Sequence, residues 1–388
     1  MTVSADLVIP ADDREALQEI ASWDGLRLAS FKASDFPVDV VRLDGSASAP
    51  IIVSRSKRSE TLKALPATLR SRVESAFERC ARRPSHLALG NGRRLDFSEG
   101  PVLLGVVNVT PDSFSDGGLA LDAGAAIERG LAHFADGAAA VDVGGESTRP
   151  SSYGAAEDVP ADEEIRRVRP VIEGLRRQTS LPISIDTRKA AVARAALDAG
   201  ADCVNDVSAL RYDLDMAATC GQARCGVILM HMRGSDPRRM QDDVSYAHPV
   251  ADVARELSAA AGRALEAGVA PGAIAVDPGL GFGKGPEGNL LLLRHLAAFR
   301  SPGFPVAVGA SRKAFVRRFS GVSDAAGNPE RLPGSLACLA IAARAGASVL
   351  RVHDVADSMR FLRMLRAIET VRASETPLPT RTAGATSR

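Results

Sequence analysis

The sequence predicts an α/β protein, a closed (β/α)₈ barrel preceded by a small α+β unit at the amino terminus. Short apolar runs and longer helical stretches alternate from Val102 to Leu350, and eight such repeats span about 270 residues. Helical stretches end at Gly200, Gly268 and Gly346, where glycine commonly takes the left-handed conformation that closes a helix. This pattern fits a closed barrel better than an open doubly wound sheet.

Composition and charge narrow the classes of protein and partner. Of the 388 residues, 45% are hydrophobic and 24% charged, as in ordinary globular proteins, and the formal net charge is +1. No global field therefore favours nucleic acid or an anionic membrane. The apolar runs are too short to span a bilayer and residues 1–10 lack a signal-peptide pattern, so we expect a cytoplasmic protein. The five cysteines are scattered, which predicts buried free thiols rather than a disulfide or a metal site.

Residues 1–84 form the first predicted unit, and they contain no motif that we can attach to chemistry. Alternating or apolar stretches predict strands, and leucines at helical spacing predict one charged helix. The predicted strands are Leu26–Phe31, Val38–Leu43 and Ile51–Val53, and the predicted helix is Ser59–Arg82.

A hairpin is predicted directly after this unit. The runs Leu87–Leu89 and Leu95–Phe97 flank Gly90-Asn91-Gly92, and Asn-Gly accepts positive φ at both turn positions. We expect the hairpin to cap the barrel that follows.

The barrel is predicted to occupy residues 85–374, and residues 375–388, which are small, polar and rich in Pro and Thr, to form a disordered tail. The predicted strands are Val102–Val107, Ala139–Val143, Ile183–Ile185, Cys203–Val204, Val227–Leu229, Ile274–Val276, Val306–Val308 and Val349–Leu350. The predicted helices include Ala123–Phe134, Glu163–Arg177, Lys189–Leu197, Val250–Glu266 and Ser335–Arg344.

A polar residue stands at or just past the end of every predicted strand. All eight strands of a barrel run the same way, so these residues should converge on one face, where sites in this fold are built. They are Asn108, Asp142, Asp186, Asn205, His231, Asp277, Ser311 with Lys313, and Arg351 with His353.

Each of these residues also has a purely structural interpretation. Asp186 and Asn205-Asp206 could cap helices, and Asp277 could start a turn. Arg351 to Asp354 could be an ion pair at the surface. Their joint occurrence at every strand end favours a shared pocket.

Two loops add to this face. Residues 144–150, Gly-Gly-Glu-Ser-Thr-Arg-Pro, combine glycines that allow close backbone approach with Arg149, whose planar fork suits a carboxylate or phosphate. Residues 279–285, Gly-Leu-Gly-Phe-Gly-Lys-Gly, have the composition of a phosphate cradle but match neither a P-loop nor a dinucleotide fingerprint.

The motifs together resemble the dihydropteroate synthase family, in order and spacing, from about Leu95 to Arg372. The motifs that carry the resemblance are Asn108–Gly118, Asp142–Pro150, Ile185–Thr187, Asn205-Asp206, Met230–Met232, Asp277–Lys284, Ser311–Lys313, Gly334–Leu336 and Arg351–Asp354. The resemblance implies a TIM barrel and an alkyl-transferring enzyme of folate biosynthesis. Such an enzyme condenses 6-hydroxymethyl-7,8-dihydropterin pyrophosphate with p-aminobenzoate, giving 7,8-dihydropteroate and pyrophosphate.

The resemblance also implies Mg²⁺ as the cofactor, small-molecule substrates, no nucleic-acid or membrane partner, and a homodimer. By similarity, the pterin is bound by Asp186, Asn205, Met230, Asp277 and Lys313. The pyrophosphate is bound by Asn108, Thr148, Arg149, Arg351 and His353, with Asn108 also the Mg²⁺ ligand. The p-aminobenzoate pocket is formed by Phe114, Thr148, Pro150 and Ser311. The catalytic residues implied are Asp112, Asp186, Lys313 and Arg149.

For the reaction we hypothesise dissociative loss of pyrophosphate, with Asp112 stabilising the resulting pterin cation, followed by attack of the aryl amine. Sulfonamides should compete as mimics of p-aminobenzoate. One departure from the family is the segment Ser151–Gly154, which leads into a longer connection than is common after Pro150.

Two other functions remain possible from the sequence. A methyltransferase on the same barrel would need a corrinoid acceptor, and the intact loops after the first two strands oppose it. A non-catalytic relative would bind pterins or recruit a partner through residues 1–84, and the complete set of polar strand ends opposes that.

Overall fold

The computed structural model describes residues 7–11, 38–42, 51–54, 58–109, 119–146, 159–234, 240, 244–246, 249–323 and 328–371. Within these, eight parallel strands form one sheet wrapped by helices. The barrel strands are β6 (Val102–Asn108), β7 (Ala140–Gly144), β8 (Ile183–Asp186), β9 (Cys203–Asp206), β10 (Gly226–Met230), β11 (Ile274–Asp277), β12 (Ala307–Val308) and β13 (Val349–Val352). All eight predicted strands are confirmed.

The strands follow one another around the sheet in chain order, and β13 returns to pair with β6. The sheet closes where β11 meets β12, through the single bridge between Val276 and Val306 in the described chain. The barrel has its weakest pairing at this seam, since β12 contains only Ala307 and Val308. The predicted (β/α)₈ barrel is therefore confirmed.

Helices on the outside cover the apolar backs of the strands. They are α3 (Leu119–Ala135), α4 (Ala161–Arg176), α5 (Ala190–Asp198), α6 (Met216–Ala223), α7 (Pro249–Glu266), α8 (Gly285–Arg294), α9 (Ala314–Phe319), α10 (Leu332–Arg344) and α11 (Val355–Thr370). Branched residues that are fully buried, such as Val141, Ile185, Val204 and Val227, pack with the inner faces of these helices into one large core.

The predicted hairpin seals the amino-terminal end of the barrel. Its strands β4 (His86–Ala88) and β5 (Arg94–Asp96) pair antiparallel, and Asn91 and Gly92 both have positive φ, at 57° and 71°. Leu87 and Leu95 pack with the barrel residues Leu104 and Ile228 in one buried cluster. The expectation of a cap is confirmed.

Asp202, which immediately precedes β9, ties this hairpin to the barrel. Its buried carboxylate accepts hydrogen bonds from Asn91 (3.0 Å) and Arg93 (2.8 Å) of the hairpin, and from Arg176 at the end of α4 (2.7 Å). The amide of Ile183 donates a fourth, at 3.0 Å. One carboxylate thus joins segments from three parts of the chain.

The amino-terminal unit differs from the prediction in its helix. The strands β1 (Leu7–Ala11), β2 (Val38–Arg42) and β3 (Ile51–Ser54) form an antiparallel sheet, which agrees with two of the predicted strands; the third, Leu26–Phe31, lies outside the described residues. The expected single helix is two, α1 (Arg58–Ala64) and α2 (Ala67–Ala81). Pro66, which lacks an amide hydrogen, separates them.

The unit contacts the barrel through the carboxyl-terminal part of α2. The guanidinium of Arg79 donates to the carbonyl of Ser301 at 2.9 Å, and β1 contacts the turn Leu296–Arg300. The tail predicted for residues 375–388 lies outside the described residues.

Two further expectations concern cysteines and membrane spans. Cys203, Cys220, Cys225 and Cys338 are buried free thiols, as predicted. Across the described ranges, no helix combines the length and apolar character needed to cross a bilayer.

Candidate active site

The residues predicted for the site divide into those that the structure describes and those that it does not. Described are Asn108, Asp186, Asn205, Met230, Asp277, Ser311, Lys313, Arg351 and His353. Asp112, Phe114, Thr148, Arg149, Pro150 and the segment Ser151–Gly154 lie outside the described residues.

The strand ends on one side of the barrel meet in a buried charge cluster, which we call the carboxylate cluster: Asp142, Asp186, Asn205 and Arg351. Arg351 Nε donates to Asp142, and its Nη2 donates to Asp186, both at 2.6 Å. The Asn205 amide donates to the same Asp142 oxygen at 2.9 Å. Four predicted strand-end residues therefore converge on one point, as the barrel geometry requires.

Asp142 is the member of this cluster to which sequence reasoning gave no role. Its side chain is fully buried in the middle of β7, and within the described chain its Oδ1 has no hydrogen-bond partner. Its place between Val141 and Val143 was the available signal, because a carboxylate inside an apolar strand is costly unless it is paired.

Within the carboxylate cluster, Asp186 is the group that can gain or lose a proton near neutral pH. Burial raises the pKa of Asp186 to about 7, although Arg351 opposes the shift and the nearby Asp142 adds to it. The two carboxylates in turn raise the pKa of Arg351 above its ordinary value, against the effect of its burial. Arg351 is thus a permanent cation between two acids.

A second group lies across the barrel seam, where Asp277 ends β11 and Lys313 follows β12. Asp277 Oδ1 accepts a hydrogen bond from the Gly279 amide at 2.7 Å, and Lys313 Nζ donates to the carbonyl of Leu280. Burial lowers the pKa of Lys313 to about 8, with Asp277 opposing, and burial raises the pKa of Asp277. This pair offers both an acceptor and a donor to a ligand.

Ser311 and His353 lie together beside this group. The Ser311 hydroxyl oxygen is 3.1 Å from His353 Nδ1, and it accepts from the His353 amide at 3.3 Å. Asp354, next in the chain, pairs with Arg312 instead. Arg351 and Asp354 therefore do not pair with each other: Asp354 pairs with Arg312, and Arg351 pairs with the carboxylates of Asp142 and Asp186.

The helix-capping alternatives separate in the same way. Asp206 accepts hydrogen bonds from the amides of Ser208 and Leu210, at 2.8 and 2.7 Å, so it shapes a turn. Asp186 and Asn205 instead point their bonds into the carboxylate cluster. Asp206 therefore has a structural role in a turn, but none of the three residues caps a helix, since Lys189 and Asp215 precede the helices that follow.

Met230 and His231 end β10 and are both buried. His231 Nε2 is 3.0 Å from Glu256 of α7, and burial lowers the pKa of His231 to about 4, so its imidazole is neutral. His231 thus pairs with an outer helix rather than with the carboxylate cluster.

An ion-pair network that the sequence did not reveal lies at the start of the loop after β7. Glu146 contacts Arg188 at 3.1 Å and Lys189 at 2.7 Å, and Lys189 also contacts Glu164 at 2.6 Å. All four side chains are largely buried. This network holds Glu146 against the residues that precede α5. Glu146 is the last residue before the segment 147–158, which the structure does not describe.

The glycine-rich loop at 279–285 differs from the phosphate cradle that its composition suggested. Lys284 Nζ lies inside the loop and donates to the loop's own carbonyls at Gly279 and Phe282, both at 2.9 Å. The interior of the loop is therefore filled by a side chain of this protein.

Buried acids, an amide and a lysine at the carboxyl ends of barrel strands define an enzyme of the (β/α)₈ class that binds a small polar ligand. The family described as "Pterin binding enzyme" matches residues 104–353. The dihydropteroate synthase of Mycobacterium leprae is 44% identical over 267 residues, which cover 68% of this chain and 92% of that relative.

Solved structures give the same result. The Xanthomonas albilineans dihydropteroate synthase with 4-aminobenzoic acid superposes with a TM-score of 0.68 at 42% identity, covering 75% of this chain and 100% of that one. The Yersinia pestis dihydropteroate synthase in a sulfonamide drug complex has a TM-score of 0.67 at 36% identity, with coverage of 74% and 100%. The chain belongs to the pterin-binding enzymes and, among these, to the dihydropteroate synthase family of transferases.

Proposed function

We propose that this chain condenses 6-hydroxymethyl-7,8-dihydropterin pyrophosphate with p-aminobenzoate, forming 7,8-dihydropteroate and pyrophosphate. The observation that carries the proposal is the convergence of Asp186, Asn205, Asp277 and Lys313 at the carboxyl ends of the strands, where the barrel fold builds its sites. The family to which the chain belongs has this activity.

The polar groups match the edge of a pterin ring. A pterin presents amino and ring N–H donors beside a carbonyl acceptor, so it needs acceptors on one side and a donor on the other. Asn205 donates through its amide nitrogen to Asp142, which leaves its carbonyl oxygen as an acceptor. Asp277 and Asp186 supply carboxylate oxygens and Lys313 the donor. Met230, buried at the end of β10, supplies apolar contact.

The pyrophosphate requires cations and N–H or O–H donors. Arg351 and His353 end β13 and begin the next loop, so they would contact it together with Thr148 and Arg149. Because Arg351 is bonded to Asp142 and Asp186 here, it would exchange one of these partners for a phosphate oxygen when substrate binds.

Mg²⁺ is part of the proposal, with Asn108 as its protein ligand. In the described ranges no three His, Cys, Asp or Glu side chains are grouped so as to hold a metal. Mg²⁺ commonly keeps several waters and is bound by one or two carboxylates together with substrate phosphates, and the amide oxygen of Asn108, at the end of β6, would take the place of such a carboxylate. When bound, the ion would neutralise charge on the leaving pyrophosphate.

The p-aminobenzoate would lie beside the reacting methylene. Ser311, 8% exposed and fixed by His353, would contact its carboxylate, and Phe114, Thr148 and Pro150 would contact its ring. We propose that pyrophosphate leaves first and that Asp112 stabilises the pterin cation until the amine attacks. Positional isotope exchange in labelled substrate tests this order, since scrambling of the bridging oxygen requires the bond to break before the amine reacts.

An assay of the purified protein tests the function itself. With the pterin pyrophosphate, p-aminobenzoate and Mg²⁺, we expect equal amounts of 7,8-dihydropteroate and pyrophosphate, and inhibition by a sulfonamide that added p-aminobenzoate relieves. Binding of the pterin without release of pyrophosphate would leave a binding protein and overturn the proposal. A corrinoid acceptor serves as the control for methyl transfer.

We also propose a homodimer formed through α10 and α11. Met364 and Ile368 lie on one stripe of α11 and are 62% and 58% exposed, Val371 directly after the helix is 74% exposed, and Ile341 of α10 is 48% exposed. Such a stripe suits a second copy of the chain better than water. Ile368→Asp should shift sedimentation equilibrium to the monomer, whereas Arg363→Asp, at an exposed position on a different face of the same helix, should not. An unchanged dimer would refute this interface.

A further inference from the structure

The loop from Gly279 to Gly285 has a backbone that only glycine can follow at alternate positions. Gly279, Gly281, Gly283 and Gly285 all have positive φ, between 64° and 86°. A Cβ at Gly279 would lie 1.9 Å from the carbonyl oxygen of His231, and one at Gly283 would lie 2.5 Å from that of Met240. The loop therefore packs backbone against backbone on the end of β10.

Lys284 holds this loop from within. Its Nζ donates to the carbonyls of His231 at 2.7 Å, Gly279 at 2.9 Å and Phe282 at 2.9 Å, and the residue is only 3% exposed. Three acceptors match the three N–H groups of an ammonium. Burial lowers the pKa of Lys284 well below its ordinary value, and Asp277 opposes that shift.

Asn289 of α8 ties the other side of the loop. Its Oδ1 accepts from the Gly281 amide, and its Nδ2 donates to the Gly285 carbonyl. The side chain is buried, at 4% exposure. Lys284 and Asn289 together bond four backbone groups of the loop, at Gly279, Gly281, Phe282 and Gly285.

The outer surface of the loop holds Lys313. The Leu280 carbonyl accepts from Lys313 Nζ, and the Phe282 ring centroid lies 4.5 Å from the same nitrogen, a cation–π distance. A Cβ at Gly281 would lie 3.0 Å from Lys313 Cδ, so glycine leaves room for the lysine stem. At its start, the loop also donates from Gly279 to Asp277.

We propose that Lys284 is a positioning residue for the pterin site, acting chiefly through Lys313 and to a smaller extent through Asp277. Its ammonium fixes the loop in the shape that presents the Leu280 carbonyl and the Phe282 ring to Lys313, and the Gly279 amide to Asp277. This rests on the proposed function, because Lys313 and Asp277 are the groups proposed to bind the pterin.

Lys284→Met tests the proposal, since methionine keeps the length and flexibility of the stem and removes the three donors. The readout is the Kd of the pterin pyrophosphate by titration calorimetry, in the wild-type background and in a Lys313→Met background. For the hydrogen-bonded residues that hold metal ligands in place, such a loss typically costs about 10- to 100-fold, and we take the same range for Lys284. We expect that loss in the first background and less than about threefold in the second, because coupled residues are non-additive.

Lys63→Met, the same change at an exposed lysine of α1, is the matched control and should leave Kd unchanged. A folded Lys284→Met protein with wild-type Kd would overturn the proposal. An equal loss in both backgrounds would also overturn it, since Lys284 would then act independently of Lys313. If Lys284→Met does not fold, Lys284→Gln, which removes the ammonium and keeps a polar side chain, is measured in the same two backgrounds against the same criteria.

The wild-type protein separates this inference from the function on which it rests. Wild-type protein that forms 7,8-dihydropteroate while Lys284→Met binds normally would disprove only the role of Lys284. Wild-type protein that binds no pterin pyrophosphate would disprove the proposed function, and the role of Lys284 with it.

Discussion

Arg351→Met should destabilise the protein in a manner that depends on pH. Arg351 lies between Asp142 and Asp186 at 2.6 Å from each, and removing one partner of a buried ion pair costs about 3–5 kcal/mol because a buried charge remains unpaired. At pH 8.5 Asp186 is mostly ionised in the wild type, because its pKa is about 7, and we expect a loss in this range. At pH 6 the Asp186 carboxyl is already mostly protonated in the wild type, since its pKa is raised to about 7, so part of the loss is absent.

The direction in which stability changes with pH follows from the protons that the native and unfolded states bind. A raised folded-state pKa means that the native protein holds a proton that the unfolded chain releases from about pH 4 upward, so this group lowers stability as pH rises towards 7. Without Arg351 the pKa of Asp186 rises further, and the fall in stability continues above pH 7. One pKa unit is worth about 1.4 kcal/mol, which sets the smallest difference we expect between the two pH values.

Urea unfolding at pH 6 and pH 8.5 measures both quantities. In an Asp186→Asn background the pH-dependent part of the loss should disappear, because the carboxyl whose pKa is raised to about 7 is absent. Arg360→Met, which removes an exposed ion pair with Asp357, should change stability by at most about 0.5 kcal/mol. A loss from Arg351→Met that is equal at both pH values would refute the reasoning.

Two further predictions concern catalysis and the sealed end of the barrel. The kcat/KM for the pterin substrate should rise through about pH 7 as Asp186 ionises and fall through about pH 8 as Lys313 loses its proton; an alkaline limb that persists in Lys313→Arg would contradict the second assignment. Asp202→Asn should lower the free energy of unfolding in urea by about 2–4 kcal/mol, because the amide nitrogen of the new asparagine would face the donors of Arg93 and Arg176. The kcat and KM should be unchanged, since the candidate active site lies at the opposite end of the barrel. A change in KM would show that the two ends are coupled.

The periodicity of the chain was sufficient for the barrel but not for the lengths of its strands. Apolar runs predicted β9 as Cys203–Val204, whereas the strand continues to Asp206, since a polar residue at a strand end can still keep the backbone pairing. The helix of the first unit was predicted as one because its leucines keep their spacing across Pro66. Hydrophobic spacing indicates which positions are buried. The break in backbone hydrogen bonding between α1 and α2 is indicated in the sequence only by the proline.

The candidate site was predictable as a set of residues but not as a set of partners. Barrel geometry requires strand ends to converge, so Asp186, Asn205 and Asp277 could be grouped from the sequence. The bonds of Arg351 to acids 209 and 165 positions away follow from the closure of the barrel and leave no trace in local patterns. The inward direction of Lys284 depends likewise on the positive φ of the glycines around it.

A substrate bound across the seam of the barrel should stabilise the barrel against opening. Val276 and Val306 form the single bridge there in the described chain, with Asp277 directly after one and Lys313 following the other strand. A ligand held by both residues spans the junction at which the barrel can open with the fewest broken bonds, so its binding free energy adds to the cost of opening. Amide hydrogen exchange beside the seam should therefore slow when the pterin binds, because the substrate would link β11 and β12 where few backbone hydrogen bonds do.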